Sequence, residues 1–391
     1  MRPAAKIIRI EVTSFEHELE NVGKDYNTFN MVYEPDASMK AGGAILSIYT
    51  DQGVVGEYPA GRGNALADIE TVTPYLIGKD AMRREVHYNA MKRGLRHTAA
   101  LGLGIVDICL WDIAGKIYEE PLFQLLGGER KPLPAYASTL HGDENGGLTT
   151  PQDFAEFAVT CKDMGYPAFK IHGWGLAGEN IKREVDNVLA VRDAVGPEMD
   201  LMIDPANEVK NFGDALKLGK ACDEADFFWW EDVFMDGGVS TFAHRKLREL
   251  IKTPLLQTEH IRLPEQHMNF VLADGTDYVR VGAHEDGGIT GAMKIFHACE
   301  SVGLDVETHG PDPAHRHLMS AVRNTNYYEL GLVHPKVRTT KPPIWVNYSD
   351  DLDAVDENGC VYAPTGHGIG VPLDWDWINA HKTGTRVLAE I

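Results

Sequence analysis

From Leu133 onward the chain repeats one rhythm: a short apolar run, then a longer stretch whose apolar positions recur at helical spacing. The runs are LPAYAST, AFKIHG, LMIDP, FFWWED, PLLQTE, YVRVG, LDVETH and YYELG. Eight strands alternating with amphipathic helices predict an α/β architecture, a closed (β/α)8 TIM-type barrel rather than an open sheet. The residues before it follow another pattern. Between about 5 and 60, the segments KIIRIEVTSF, AGGAILSIYTD and VVGEYPA, with a DQG turn before the last, read as a meander of strands. Asp80 to about Gly128 reads as helical, with DAMRREVHYNAMKRGL and GLGIVDICLWDIAGKIY, the latter ending before the turn at Glu119, Glu120 and Pro121. Strands followed by helices predict a separate N-terminal α+β domain. The expected boundaries are 1–130 for that domain and 131–374 for the barrel. A Pro- and Gly-rich stretch from Lys341 leads to segment 375–391, which is expected to pack back on the first domain.

The length of 391 residues suits a barrel of about 250 residues with an added domain. No 18-residue apolar run occurs, and the start MRPAAKIIRI enters a strand pattern directly, so a cytoplasmic location without a membrane partner is expected. Cys109, Cys161, Cys222, Cys299 and Cys360 lie far apart with no CxxC pair, which points to buried free thiols in a reducing compartment. A formal net charge of −21 argues against a nucleic-acid partner. It also means that any carboxylate ligand needs local positive charge.

Three acidic residues stand out against this background. Asp204, Glu231 and Glu259 fall near the ends of LMIDPAN, FFWWEDV and PLLQTEH, 27 and 28 residues apart. One strand, one helix and two short loops use about that many residues, so each interval returns the chain to the same end of a parallel sheet. Three carboxylates there would form a hard, oxygen-rich cage suited to Mg²⁺. Solvated strand ends or helix caps are the plainer account of any one of them, but three at repeat spacing favour the cage. Lys170 and His172 are two apart on a strand and share a face, the inward one if Ile171 points to the helices. The alternative for His172 is a histidine satisfied within the barrel core.

Several motifs then occur in one order: IVDICLWDIAGKIYEEPLFQLLGG followed by LPAYAS, Lys170-Ile171-His172, the three acids, Gly287-Gly288-Ile289-Thr290 after the sixth strand, and PTGHGIGVPLD. Together they resemble the enolase superfamily over nearly the whole chain, most closely its mandelate racemase-like branch. The resemblance implies an N-terminal capping domain over the barrel mouth, with Mg²⁺ on Asp204, Glu231 and Glu259 binding a substrate carboxylate. A base then removes the proton from the adjacent carbon. His172 falls at the position of the base on one face, Lys170 beside the substrate carboxylate, and His309, ending VETHG, on the opposite face. In that branch an aspartate five residues before the GG pair orients the opposite histidine. Here that position is Gly282, and Glu285, Asp286 and Glu307 are the candidates to replace it. Glu329 in YYELG falls where the branch has a protonated carboxyl group that hydrogen-bonds the enolate oxygen; an ordinary acidic strand end is the alternative.

Asn207 is placed to contact the metal or its waters, and His260 to face substrate. Lys24, Tyr26 and Arg62 lie in the stretches Val22 to Tyr26 and Tyr58 to Arg62, which match the two capping loops. They offer groups that bind hydroxyls or carboxylates, or else plain solvated loop polarity. Of the remaining clustered histidines, His284, His315 and His317, the last two are read as structural.

The expected activity is a Mg²⁺-dependent hydro-lyase acting on a small-molecule sugar acid. Epimerisation or racemisation and cycloisomerisation share its first step, and a non-catalytic sugar-acid binding protein is the alternative from another class. A metal-dependent hydrolase would need a histidine-rich ligand set, which the three carboxylates oppose. A homo-oligomer, from dimer to octamer, is the expected assembly.

Overall fold

The computed structural model describes residues 4–61, 63–174 and 180–391. The chain opens with β1 (Ile7–Lys24), β2 (Met31–Thr50) and β3 (Val55–Pro59), followed by helices α1 (Asn64–Leu76), α2 (Arg84–Gly94), α3 (Leu101–Tyr118) and α4 (Leu122–Leu125). The first two strands are longer than the sequence pattern suggests. They pair antiparallel well beyond their apolar ends, through Lys24 and Met31, where the side chains turn polar and exposure rises. Helix α1 was not anticipated, since it starts directly after the loop at Gly63, has no side-chain cap and carries Pro74 inside it.

The barrel follows as eight strands alternating, among the described residues, with seven helices: β4 (Leu133–Thr139), α5 (Pro151–Asp163), β5 (Ala168–Ile171), α6 (Ile181–Val195), β6 (Asp200–Ile203), α7 (Phe212–Glu224), β7 (Trp229–Glu231), α8 (Thr241–Arg248), β8 (Leu255–Gln257), α9 (Leu263–Leu272), β9 (Tyr278–Val281), α10 (Gly288–Ser301), β10 (Val306–Thr308), α11 (Pro313–Met319) and β11 (Tyr328–Val333). β12 (Cys360–Val361), α12 (Trp375–Ala380) and β13 (Lys382–Glu390) complete the chain. The architecture is an α/β (β/α)8 barrel with an N-terminal antiparallel sheet, and β13 hydrogen-bonds along β1 in the order β13-β1-β2-β3. Among the described residues no helix is long and apolar enough to cross a membrane.

Alternation along the strands sorts the barrel interior into layers. Tyr136, Ala168, Met202, Trp229 and Leu256 fill one end, with Tyr278 and Tyr327 packed against them. Two residues further on, Lys170, Asp204, Glu231, Arg280 and Glu329 point the same way at the other end, so the polar mouth rests on an aromatic floor.

Strands β10 and β11 are the two ends of the parallel ladder and share no ladder of their own. A side chain bridges them. Glu307 on β10 is fully buried and accepts hydrogen bonds from the backbone N of Asn326 (3.2 Å), its Nδ2 (2.7 Å) and the backbone N of Tyr327 (3.2 Å). Burial pushes its carboxyl up to about 7. Glu307 is therefore a seam residue and does not partner His309.

Helix α3 lies between the N-terminal sheet and the barrel with most of its residues buried. It approaches the loop after β9 so closely that a Cβ on Gly104 would lie 2.4 Å from the carbonyl oxygen of His284. Asp107 on the same helix accepts from Thr290 N (2.9 Å) and Oγ1 (2.7 Å), and a Cβ on Gly288 would strike that carboxylate. The GGIT motif is thus a docking point for α3. The PTGHGIG segment is another: Leu122 N donates to Gly368 O, and Ile369 N to Asp112 Oδ1.

Replacing Glu307 by alanine leaves three partly buried donors without their acceptor at the seam. The expected loss is about 1–3 kcal/mol of unfolding free energy, measured by urea denaturation.

Candidate active site

Lys170 is the hub of the barrel mouth. Its Nζ lies 2.8 Å from Glu231 Oε2, 3.0 Å from Glu329 Oε1 and 3.3 Å from Asp204 Oδ2, with only 1% of the side chain exposed. Burial disfavours the ammonium, but Glu231 and Glu329 outweigh it and hold the lysine charged well above its ordinary range. Arg280, the inward residue of β9, grips Glu231 with Nε and Nη2, both at 2.5 Å, and lies 3.5 Å from Glu329. Its Nη1 and Nη2 are also tied to Thr308 O and Tyr136 Oη.

The three expected metal ligands converge. Each of Asp204, Glu231 and Glu259 offers a carboxylate oxygen within 4.8 Å of the others. For Asp204 and Glu231 strand alternation suffices, since Met202 and Trp229 lie beneath them. Glu259 needs more. It stands an odd number of residues beyond Leu256, so an unbroken strand would turn it away from the interior. Thr258 supplies the break with φ 93°, a rare conformation for a β-branched residue, fixed by exchange of hydrogen bonds between its Oγ1 and the backbone of Arg280. Ala206, Asn207 and Asp232 also have positive φ, so strained backbone surrounds the cluster.

The set fits a hard divalent cation. Four carboxylates, counting Glu329, face the two fixed cations Lys170 and Arg280 in a largely buried mouth. A divalent ion on oxygen donors would neutralise the excess. Without it, burial raises the Glu259 carboxyl, with Glu231 and Asp204 adding to the rise against His309. Asp204 is held well below its usual range, Lys170 and His172 outweighing its burial.

His172 projects from just beyond β5. Its Nδ1 lies 2.7 Å from Thr139 O, an acceptor, so Nδ1 carries a proton, and its Nε2 faces Asp204 Oδ2 at 3.1 Å. The ring packs 4.9 Å from that of His141, which burial lowers to about 3. His309 approaches from β10, with Nε2 3.3 Å from Glu259 Oε1 and Nδ1 3.5 Å from Glu285 Oε2. Burial opposes its charge, but Glu259 and Glu285 push it up to about 10.

Glu329 departs from the expectation of a protonated carboxyl group. Gly310 N donates to it at 2.8 Å, and Lys170 and Arg280 overcome its burial to hold it ionised, well below the usual range. Asn207 and His260 form a side cluster with Asp232: Asn207 Nδ2 lies 2.8 Å from His260 Nε2, which lies 2.6 Å from Asp232 Oδ2. Asp232 is a partner that the sequence reading passed over.

The capping loops reach the barrel differently from residue to residue. Tyr26 Oη donates to Glu208 Oε2 at 2.9 Å, beside Asn207, whereas Lys24 is spent on the carbonyl of Phe29 within its own loop. Tyr58 Oη donates to Asp312 Oδ2 after β10. Arg62 lies outside the described residues. His315 and His317 are buried between backbone groups, with Ala283 N and Gly310 O holding one and Phe123 N and Ile369 O the other; burial lowers them to about 3 and 4. His284 lies at the rim, 3.9 Å from Glu285 Oε1.

Among the residues missed from sequence, Arg280 had the clearest signal, a lone charge at an inward position of YVRVG. Asp312 and Glu208 had none, since only the folded loops bring them under Tyr58 and Tyr26.

Comparison with known proteins agrees with this architecture. Residues 153–377 match the family described as Enolase C-terminal domain-like. Residues 35–127 match the Mandelate racemase / muconate lactonizing enzyme, N-terminal domain. The D-galactarolactone cycloisomerase of Agrobacterium fabrum is 27% identical over 391 residues, covering 95% of this chain and 97% of its own. The N-succinyl-L-Arg/Lys racemase of Bacillus cereus is 25% identical over 281 residues, covering 67% of this chain and 70% of its own. Among solved structures, D-glucarate dehydratase from Agrobacterium tumefaciens, in complex with magnesium, superposes with a TM-score of 0.84 at 27% identity, covering 98% of this chain and 100% of that one. With the capping sheet, the barrel and both sequence matches in agreement, the chain belongs to the mandelate racemase / muconate lactonizing enzyme family of the enolase superfamily.

Proposed function

We propose that this protein is a Mg²⁺-dependent enzyme that removes the proton α to the carboxylate of a sugar acid and then eliminates water across the adjacent bond. The observation that carries the reading is the convergence of Asp204, Glu231 and Glu259 between two imidazoles, with Lys170 at the centre. When bound, Mg²⁺ on these carboxylates would supply positive charge to a substrate carboxylate whose α-proton is leaving.

Lys170 adds a fixed ammonium at the same place, in a mouth buried enough for its charge to count. His172 has its Nδ1 engaged by Thr139 and its Nε2 turned toward the carboxylate cluster beside Asp204, so Nε2 is the nitrogen that exchanges a proton with substrate. His309 presents Nε2 to the cluster from β10. One imidazole removes the α-proton, and the other protonates the departing β-hydroxyl. The Tyr26–Glu208 contact holds the turn between β1 and β2 against the rim and Tyr58–Asp312 ties β3 to the barrel, which favours exclusion of water. Dehydration is chosen for the polar rim and for the likeness to a D-glucarate dehydratase. Isomerisation is the second reading, favoured by the end-to-end match to a cycloisomerase.

Mg²⁺ should raise the thermal unfolding midpoint of the native protein in a concentration-dependent way, as a ligand of the folded state alone must. Asp204→Asn should abolish most of that rise. Lys170→Met leaves buried carboxylates uncompensated, and the expected loss of stability is about 3–5 kcal/mol without metal. Added Mg²⁺ should recover part of it.

Incubation of the Mg²⁺-loaded enzyme with a panel of five- and six-carbon sugar acids in D₂O should incorporate deuterium at the α-carbon of at least one acid and yield its 2-keto-3-deoxy product. Of His172→Ala and His309→Ala, the variant that stops exchange identifies the base, and the other should keep exchange while losing product. Exchange unaffected in both variants would sink the assignment. An epimer without keto acid would select the isomerase reading.

A further inference from the structure

Gly282 directly follows β9 at the mouth, and its backbone is not in the left-handed region, so conformation does not require glycine there. Space does. A Cβ on Gly282 would lie 2.8 Å from Oε2 of Glu285. The turn that follows brings this carboxylate back: Glu285 N donates to Gly282 O at 3.0 Å and Asp286 N to the same oxygen at 2.7 Å. Glu285 Oε2 thus fills the volume that a side chain at 282 would occupy, 3.5 Å from His309 Nδ1. That nitrogen is buried and has no directed hydrogen bond among the described residues.

The other nearby carboxylates are committed elsewhere. Asp286 accepts from Gly282 N at 3.0 Å and Leu263 N at 3.2 Å, and Glu307 closes the β10–β11 seam. Arg262 and His284 flank Glu285 at 4.0 and 3.9 Å and help hold it in place.

We propose that Glu285 is the positioning residue of His309: reaching back from the turn after β9 into the space left by Gly282, it accepts a hydrogen bond from Nδ1–H and so directs Nε2 at the reacting centre. The pair Gly282 and Glu285 is then one device, since the carboxylate can be delivered from either position but not comfortably from both. Its connection to catalysis rests on the proposed role of His309. A long apo contact of this kind is expected to tighten when the site is loaded.

The test is a carboxylate swap in the Mg²⁺-loaded protein. Two readouts are followed: the downfield imidazole N–H proton resonance of His309, assigned by its loss in His309→Asn, and α-deuterium exchange on D-glucarate, D-gluconate and D-galactonate. Glu285→Ala should abolish the resonance and slow the step that His309→Ala stops, α-exchange or keto-acid formation, about 10- to 100-fold, the usual scale of removing a histidine's carboxylate partner. Adding Gly282→Asp to Glu285→Ala should restore the resonance and return most of the rate. Gly282→Asp alone, which crowds two carboxylates, should do worse than the double variant, a non-additivity expected only of residues sharing one partner. Absence of the resonance in the native protein, its persistence in Glu285→Ala, or no recovery in the double variant would overturn the proposal. If the resonance follows the carboxylate while His309→Ala still exchanges and eliminates normally, the positioning stands and the assigned role of His309 falls. Should none of the three acids exchange, the resonance decides alone.

Discussion

Lys170 sits among Glu231, Glu329 and Asp204 with its charge almost entirely shielded from water, and the rest of the barrel mouth is arranged around that contact. A buried ammonium is tolerable only with close counter-charge, and a group of buried carboxylates only with close cations. Arg280 completes the arrangement by clamping both carboxylate oxygens of Glu231. The result is rigid where charge must be placed accurately and still carries an excess of negative charge, which suits the loading of a divalent cation. The aromatic floor of Tyr136, Trp229, Tyr278 and Tyr327 matters for the same reason, because it keeps water from reaching these ions from below.

The repeat pattern made the barrel strands legible, and with them the positions of Asp204, Glu231, Lys170 and His172, because strand alternation alone decides where those side chains point. Glu259 was legible only as a position in the repeat. Its inward aim depends on the left-handed backbone of Thr258, which no alternation rule supplies. For Glu329 family position suggests a protonated group, whereas Lys170, Arg280 and the amide of Gly310 favour the ionised form. Helix α1 escaped notice because it lacks a side-chain cap, and Asp232, Glu208 and Asp312 because each acquires its partner only through loops distant in sequence.

The two halves of the site differ in how they are supported. The carboxylates are held by the barrel itself, on neighbouring strands with ladder hydrogen bonds beneath them. His309 stands at the barrel's weakest seam, where β10 has no ladder to β11 and Glu307 bridges the gap. Its surroundings are built from turns and from α3, which presses on the His284 carbonyl and anchors Thr290 through Asp107. Changes in the N-terminal domain therefore have a short route to His309. Tyr58, reaching Asp312 three residues beyond His309, is a second route for the same influence.

An experimental structure of the Mg²⁺-loaded protein with a non-reacting sugar-acid analogue tests the central claim most directly. The account predicts a cation on Asp204, Glu231 and Glu259, the analogue's carboxylate beside Lys170, and its α-carbon between the Nε2 atoms of His172 and His309. A cation settled instead on Asp232 and His260, or an α-carbon facing neither imidazole, would contradict it.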